Sequence, residues 1–437
     1  MANANPLQPS NAHNNADAIT GKTSSIVVQK YGGTSVGDIE RIRKVAARIA
    51  RNVEQGEKVA VTVSAMGHST DRLISMAKEI TARPHKRELD MLMATGEQQS
   101  IALLAMALQQ QGVRARSFTG QQAGFLTDSF SGGARILQVN PQALRDALQD
   151  HDVVVIAGFQ GVDEHGMITT FGRGGSDTTA VAVAAALQAR ECEIYTDTEG
   201  VYTTDPHVVP QARKLETIDY QEMLELASLG AQVLHPRSVW YARRYGVVIH
   251  VRSSFSYNRG TIVTDNRQAE AAMKTDQPVT GVALDQSHAR IDILDVPDTP
   301  GIAARIFSSL GEAGIVVDMI VQGVAGRQSD HQQIAFTVNQ DAIDDALETL
   351  KPVLEELGGR AVANKDVAKL SIVGIAIGST PSIAGTMFAA VAQVGANIGM
   401  ITTSEVRISV VIPSRYAEDA LQAVHSAFAL DRENGAN

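Results

Sequence analysis

Three times in its first 165 residues the chain runs a short apolar, β-branched segment straight into a glycine turn. Residues 25–29 (SIVVQ) lead into Lys30-Tyr31-Gly32-Gly33-Thr34-Ser35, residues 59–63 into Ser64-Ala65-Met66-Gly67, and residues 153–157 into Gly158-Phe159-Gln160-Gly161. Helical spacing follows the first of these, over residues 39–50. A strand with one wet face would alternate apolar and polar residues, so near-continuous apolar strands interleaved with helices predict a mainly parallel sheet covered on both faces. The expected class is α/β, with this domain spanning 25–265 and a polar linker over 266–278.

A second constraint is an internal repeat. Thr299-Pro300-Gly301-Ile302-Ala303-Ala304-Arg305-Ile306-Phe307 aligns without gaps with Thr380-Pro381-Ser382-Ile383-Ala384-Gly385-Thr386-Met387-Phe388, and the same offset carries Gly314 onto Gly395 and Met319 onto Met400. A constant offset implies duplicated modules. Each copy reads as a small βαββ unit, over 279–356 and 365–434. Small modules bury their remaining apolar surface by pairing, so a homodimer or higher homo-oligomer through this half is expected.

Composition removes several classes. With 437 residues, 44% hydrophobic and 20% charged, the chain has room for two or three domains. A formal net charge of −10 and no clustered Lys/Arg face argue against nucleic acid as a partner. Cys192 is the only cysteine, which excludes an internal disulfide and fits a reducing cytoplasm. No apolar run is long enough to span a membrane, and residues 1–24 lack the charged and apolar regions of a secretory signal, reading instead as a disordered tail.

The strongest local motif is Gly172-Arg173-Gly174-Gly175-Ser176-Asp177-Thr178-Thr179, ahead of an Ala-rich helix expected over 178–187. Its glycines let backbone amides approach a ligand, and Arg173 offers a planar fork for a carboxylate. Asp177 reads either as the N-cap of that helix or as a ligand group. The Lys30 turn offers the amides of Gly32 and Gly33 at a helix start, which suits a phosphate, but it lacks P-loop spacing and equally suits a tight turn. Met93-Ala94-Thr95-Gly96-Glu97 reads as the end of one helix and the start of another. Glu97 would then lie in a first turn, either as a favourably placed carboxylate or as the partner of a substrate ammonium. Ser64, with Thr70 and Asp71, reads as a helix cap or as hydroxyls on a substrate carboxylate. The polar turn from Tyr195 to Pro206 suits a ribose and adenine, or a plain surface loop.

Taken in order, KYGGTSVG, VSAMG, TGE, TGQQAG, GFQG, GRGGSDTTA, EIYTD, GVYTTDP, EMLELASLGAQVLHPRSV and MITTSEVRISVV resemble the aspartate kinase family of the amino-acid kinase fold, from about Ile26 to Asp431. The resemblance implies an amino-acid kinase-type sheet sandwiched by helices, followed by two ACT-like, ferredoxin-like modules. It implies ATP and Mg²⁺ as cofactors and phosphorylation of the side-chain carboxylate of L-aspartate. Lys30 would stabilise the transferring phosphoryl group, with Gly32, Gly33, Thr34 and Ser35 at the phosphates. Ser64, Thr70, Glu97, Arg173 and Asp177 would hold aspartate, with Arg173 on the α-carboxylate and Glu97 near the ammonium. Thr196, Asp197 and Tyr202 would border the nucleotide. Asp298, Pro300, Gly301, Ala303, Asp318 and Gln322, with Asn397, Ile398 and Ser404 in the second copy, match an effector set for lysine or threonine.

The chain also departs from the family pattern. His207 stands where arginine usually follows the DP of GVYTTDP, and Gln232 where lysine usually precedes VLHP. Each lost charged contact to phosphate is worth about 1.5–3 kcal/mol, so ATP binding weaker than usual for the family is expected. Restoring His207→Arg and Gln232→Lys together should lower the KM for ATP by about tenfold or more; an ordinary KM that does not move on restoration sinks this expectation. In the modules, Val316 replaces an Asn, Gly323 and Ala325 replace the N and S of QNVS, QQIAFT replaces TDISFT, and Ser382 replaces a glycine. Altered or reduced amino-acid inhibition follows. Two other readings are a kinase for glutamate or acetylglutamate, which leaves the tandem modules unexplained, and a silent amino-acid sensor, which the intact Lys30, Glu97, Arg173 and Asp177 oppose.

Overall fold

The computed structural model describes residues 24–230, 233–265, 278–324 and 331–432. Nearly all of the expected tail and of the expected linker, together with Gln232 and Ala325, therefore lie outside the described residues. The chain forms two compact units.

The first unit contains β1 (Ile26–Tyr31), α1 (Ile39–Glu54), β2 (Lys58–Val63), α2 (Ser69–Ile80), α3 (Lys86–Gln110), β3 (Ala115–Phe118), β4 (Phe125–Thr127), β5 (Ile136–Val139), α4 (Gln142–Asp150), β6 (Val153–Ala157), β7 (Gln160–Val162), β8 (Ile168–Thr170), α5 (Gly175–Leu187), β9 (Cys192–Thr196), β10 (Thr217–Asp219), α6 (Tyr220–Ser228), α7 (Pro236–Tyr245), β11 (Ile249–Ser253) and β12 (Thr261–Thr264). Eight strands make one sheet in the order β10-β12-β11-β9-β1-β2-β6-β3, parallel except for the β11/β12 pair. β6 is buried at every residue, as a strand covered on both faces must be. On one face Tyr31, Val59, Val61, Val63 and Tyr195 pack with Ile42 and Ile49 of α1 and Leu104 and Leu108 of α3. The other face carries α5, against β1, β2 and β9. A smaller sheet, β5-β4-β7-β8, lies in the same unit.

In the large sheet β1 has β2 on one side and the much later β9 on the other. The chain thus builds the sheet outward from β1 first on the β2 side and later on the β9 side, and such a switch opens a crevice beyond the carboxyl ends of the strands. Lys30, Ser64 and Thr196 sit at or just past those ends.

Two helices differ from the sequence expectation. The helix over 178–187 starts earlier, at Gly175, with Gly174 as N-cap in the left-handed region (φ 68°). The break expected around Gly96 is absent, because α3 runs unbroken from Lys86 to Gln110. Gly96 is there for close approach: a Cβ on it would lie 2.8 Å from the Ala65 Cβ. The cost of about 1 kcal/mol for a mid-helix glycine is small beside that overlap.

The second unit holds β13 (Gly281–Asp285), β14 (His288–Pro297), α8 (Ile302–Glu312), β15 (Val317–Val324), β16 (His331–Asn339), α9 (Ile343–Leu357), β17 (Arg360–Asn364), β18 (Val367–Val373), α10 (Ile383–Gln393), β19 (Met400–Thr403), β20 (Arg407–Pro413) and α11 (Ala417–Ala427). Its two antiparallel sheets have the orders β15-β16-β14-β17 and β13-β18-β20-β19. The modules are therefore more than βαββ: β13, at the start of the 279–356 span, pairs with β18 of the second sheet, and β17 closes the first. Sequence periodicity identifies a strand but not its partner, which is why this exchange was not foreseen. The segment Tyr202–Arg213, drawn within 25–265, also packs in this unit. Val209 joins the core of Met387, Leu421 and Val424, and Thr203 accepts from Val282 N at 2.7 Å and meets His425 Nε2 at 2.9 Å. Among the described residues, no helix is long and apolar enough to cross a membrane.

Candidate active site

Lys30 is the penultimate residue of β1, and its side chain points to the α5 face of the sheet. Its Nζ lies 2.7 Å from Asp177 Oδ1, with both side chains about nine-tenths buried (13% and 11% exposed). That oxygen makes no well-directed hydrogen bond, so the contact is mainly Coulombic. Asp177 stands in the first turn of α5, whose N-cap is Gly174, so it is not the N-cap of that helix. The helix end facing Lys30 is that of α5. α1 starts only at Ile39, capped by Asp38, so the Gly32–Gly33 amides are not at a helix start as the sequence suggested.

The glycine turns are places of close approach. A Cβ on Gly33 would lie 2.9 Å from the Ala65 carbonyl, and Gly67 N donates to the Gly33 carbonyl (3.0 Å), so the turns after β1 and β2 touch. A Cβ on Gly158 would lie 2.6 Å from Ser176 Oγ, and one on Gly174 only 2.0 Å from Cγ of the His235 ring. His235 Nδ1 accepts from Arg237 N, and Arg237 Nη1 donates to the Phe171 carbonyl (2.7 Å). Burial holds the His235 imidazole below its ordinary pKa. His235 and Arg237 support the Arg173 turn from behind. Sequence reading included them in a motif but assigned them no part, because their packing on a distant glycine leaves no local signal.

Glu97 is mid-helix rather than in a first turn, and only 3% exposed. Its Oε1 accepts from Ala65 N (3.0 Å), while Oε2 is buried with no protein partner. Burial raises its pKa to about 7, against the pull of the Ala65 amide. Without a helix-end field, desolvation dominates. An orphaned carboxylate oxygen is what a substrate ammonium would complete. A consequence is measurable. Because the folded pKa exceeds the ordinary value of 4.5, the protonated form stabilises the fold at low pH, and that stability is lost as pH rises from about 4.5 through 7. The KM for an ammonium-bearing substrate should conversely fall as pH rises through 7. Glu97→Gln should flatten both profiles; a wild-type pH profile in that variant would refute the assignment.

The remaining candidates divide. Ser64 lies half-buried at the start of the β2–α2 connection and Thr70 half-buried in the first turn of α2, and Arg173 is exposed and makes no ion pair among the described residues. Thr34 gives its carbonyl to Arg41, while the buried Ser35 hydroxyl lies 2.5 Å from that of Ser254 and Ser35 N donates to the Gly32 carbonyl (2.9 Å). Thr196 Oγ1 donates to Asp197 Oδ1 (3.0 Å). Tyr202 belongs to the second unit, as does His207, whose exposed ring meets Asp205 Oδ1 at 3.0 Å. In the second unit a cavity of about 290 Å³ is lined by Asp298, Thr299, Pro300, Gly301, Ile302, Ala303, Gln322 and Gln332. Asp318 does not line it; its carboxylate lies 2.5 Å from the buried Lys369 amine. Asn397 is exposed, Ile398 packs on the core of the second module, and Ser404 N donates to the Arg407 carbonyl.

Among the described residues Glu191, Glu193 and His250 come close enough to share an ion, but Arg190 and Arg252 already neutralise the two carboxylates. His250 Nδ1 faces Glu191. This group is a structural ion-pair network.

A glycine-rich crevice beyond the strand ends, with a buried amine, a carboxylate oxygen left without a partner and an exposed guanidinium, has the groups that a phosphotransferase for a small charged acceptor would use. Residues 25–253 match the amino acid kinase family, and 295–353 and 370–428 match the ACT domain. An aspartokinase of Thermus thermophilus is 61% identical over 408 residues, covering 93% of this chain and 100% of that protein. The crystal structure of aspartate kinase from Synechocystis superposes with a TM-score of 0.80 at 35% identity, covering 94% and 99% of the two chains. That of E. coli aspartokinase III in complex with aspartate and ADP gives 0.74 at 25% identity, covering 92% and 99%. The chain belongs to the aspartokinase family.

Proposed function

We propose that this chain transfers the γ-phosphoryl group of ATP to the β-carboxylate of L-aspartate, giving 4-phospho-L-aspartate, the first step of lysine, threonine and methionine biosynthesis. A β-carboxylate oxygen forms a bond to Pγ as the bond from Pγ to the β,γ-bridging oxygen breaks, and ADP leaves. The acceptor is already ionised near neutral pH, so no general base is needed. Positioning and positive charge carry such a reaction. Lys30, held by Asp177, meets the charge that develops on the transferring group, with Gly32 and Gly33 at the phosphates and Thr196 and Asp197 at the nucleoside. Arg173 takes the α-carboxylate, Glu97 the ammonium, and Ser64 and Thr70 supply hydroxyls. Mg²⁺ bound with the nucleotide would supply further neutralisation of phosphate charge beside Lys30.

The single observation that carries this reading is the buried Lys30–Asp177 pair at the carboxyl end of β1, at the switch in strand order. Hydroxamate trapping of the acyl phosphate tests it: aspartate should give product, while glutamate and acetylglutamate should not. Failure of aspartate overturns the proposal.

The weakened ATP affinity expected from His207 and Gln232 stands as a further proposal. So does altered regulation: the cavity around Asp298 and Gln322 is a place for an amino-acid effector, and with several family polar groups replaced, inhibition by lysine or threonine is reduced. Strong inhibition by either in a coupled ADP-release assay would refute that. Pairing of the antiparallel modules as a homodimer or higher assembly is proposed on the same basis, and light scattering reads it directly.

A further inference from the structure

Asp90 is a carboxylate with no exposed surface, in the second turn of α3, and the chemistry above makes no use of it. Its partners come from two separate places in the chain. Gly132 N–H is shared between its oxygens, at 3.1 Å from Oδ1 and 2.9 Å from Oδ2, and Thr170 Oγ1 donates to Oδ1 at 2.6 Å. Thr170 ends β8, two residues before the Gly172-Arg173-Gly174 turn. Gly132 belongs to the 128–135 loop, which lies against that same turn. A Cβ on Gly172 would lie 3.3 Å from the Gly132 carbonyl, and Ala134 N donates to the Thr170 carbonyl (2.9 Å).

Asp90 and Glu97 are seven residues apart on one unbroken helix. Two turns place them on the same face about 10 Å apart along the axis. Between them the Ala94 carbonyl accepts from Gln160 Nε2 (2.9 Å). This face of α3 therefore acts as a ruler: one end fixes the carboxylate assigned to the substrate ammonium, the other the backbone from which Arg173 projects. Arg173 itself is exposed and has no ion-pair partner among the described residues, and Gly172 and Gly174 on either side hold left-handed conformations (φ 73° and 68°). A guanidinium so placed depends on its backbone for its position. That backbone is anchored immediately ahead of Gly172 at two successive residues, by the Thr170 hydroxyl on Asp90 and by the Phe171 carbonyl on Arg237.

We propose that Asp90 is a positioning residue for aspartate binding, setting the separation between the Arg173 fork and the Glu97 carboxylate without touching substrate. The proposal rests on the assignment of Arg173 and Glu97 to aspartate.

The test uses the full-length protein and separates KM from kcat for both substrates. Asp90→Ala should raise the KM for aspartate by at least tenfold while the KM for ATP and kcat at saturating aspartate stay within about threefold. Asp90→Asn, whose amide can still accept from Gly132 and donate to the Thr170 hydroxyl, should bring the KM back to within about threefold of the parent. Thr170→Val removes one anchor from a site with no exposed surface without altering its shape, and covers the case in which Asp90→Ala does not fold; it should raise the aspartate KM about three- to tenfold. Combined with Arg173→Ala, the Asp90→Ala effect should largely vanish, since the residue it positions is gone. An unchanged aspartate KM in the folded variants, or a parallel rise in both KM values, overturns the proposal. If Arg173→Ala alone leaves the aspartate KM unchanged, the substrate assignment has failed instead.

Discussion

Lys30→Met is expected to lower kcat at saturating ATP and aspartate by about a thousandfold or more in a coupled ADP-release assay. A cation aimed at a transferring phosphoryl group commonly accounts for about 10³–10⁵ in rate, and a single preorganised donor for about 10²–10³. Lys30 belongs at the upper end of the second range or within the first, because it is nearly buried and already held by Asp177. Removing the amine also strands the Asp177 carboxylate, and breaking a buried pair from one side costs on the order of 3–5 kcal/mol. Lost activity could then report lost fold. The double variant Lys30→Met/Asp177→Asn separates the two: thermal stability should return towards the parent value while activity does not. Activity recovered in the double variant, or a single variant within tenfold of the parent, would remove Lys30 from the chemistry.

The second large effect belongs to a glycine. Gly174→Ala should destabilise the protein by about 2–5 kcal/mol and lower kcat/KM for aspartate by roughly a hundredfold. Two causes add. Alanine in the left-handed region costs about 1–2 kcal/mol, and forcing a methyl into packed space costs about 1–3 kcal/mol. Here the methyl would lie 2.0 Å from the His235 ring. The ring must move, and with it the start of α7 and the Arg237 anchor on Phe171. His235→Ala in the Gly174→Ala background should recover the steric share of the stability loss and leave the backbone share. Calorimetry on the two variants reads both; a Gly174→Ala protein with the parent melting temperature and aspartate KM would show that the turn yields.

The α/β half was legible because its signals are local. Apolar strands such as residues 153–157 can sit only between covered faces, and the observed β6 has those bounds. The duplicated modules were legible from one constant offset. Glu97 was placed wrongly within its helix because Gly96 reads locally as a break, whereas its reason is the Ala65 methyl of another element. The exchange of β13 into the second sheet was missed because a strand's periodicity carries no record of its neighbour.

What the sequence determined by itself was the kind of protein: a doubly covered parallel sheet, glycine turns at its strand ends, paired small modules, and a family pattern that named Lys30, Glu97, Arg173 and Asp177 together. Only the tertiary structure decided how those residues act on one another. Lys30 meets Asp177 because α5 lies across β1. Glu97 is orphaned and held near neutral pKa because a continuous helix buries it against the turn after β2. Asp90 is brought to Gly132 and Thr170 by the approach of a loop and a strand end remote in sequence. Burial and electrostatics depend on every element that comes near a group, and strand order, which residue preferences do not encode, decides which elements those are.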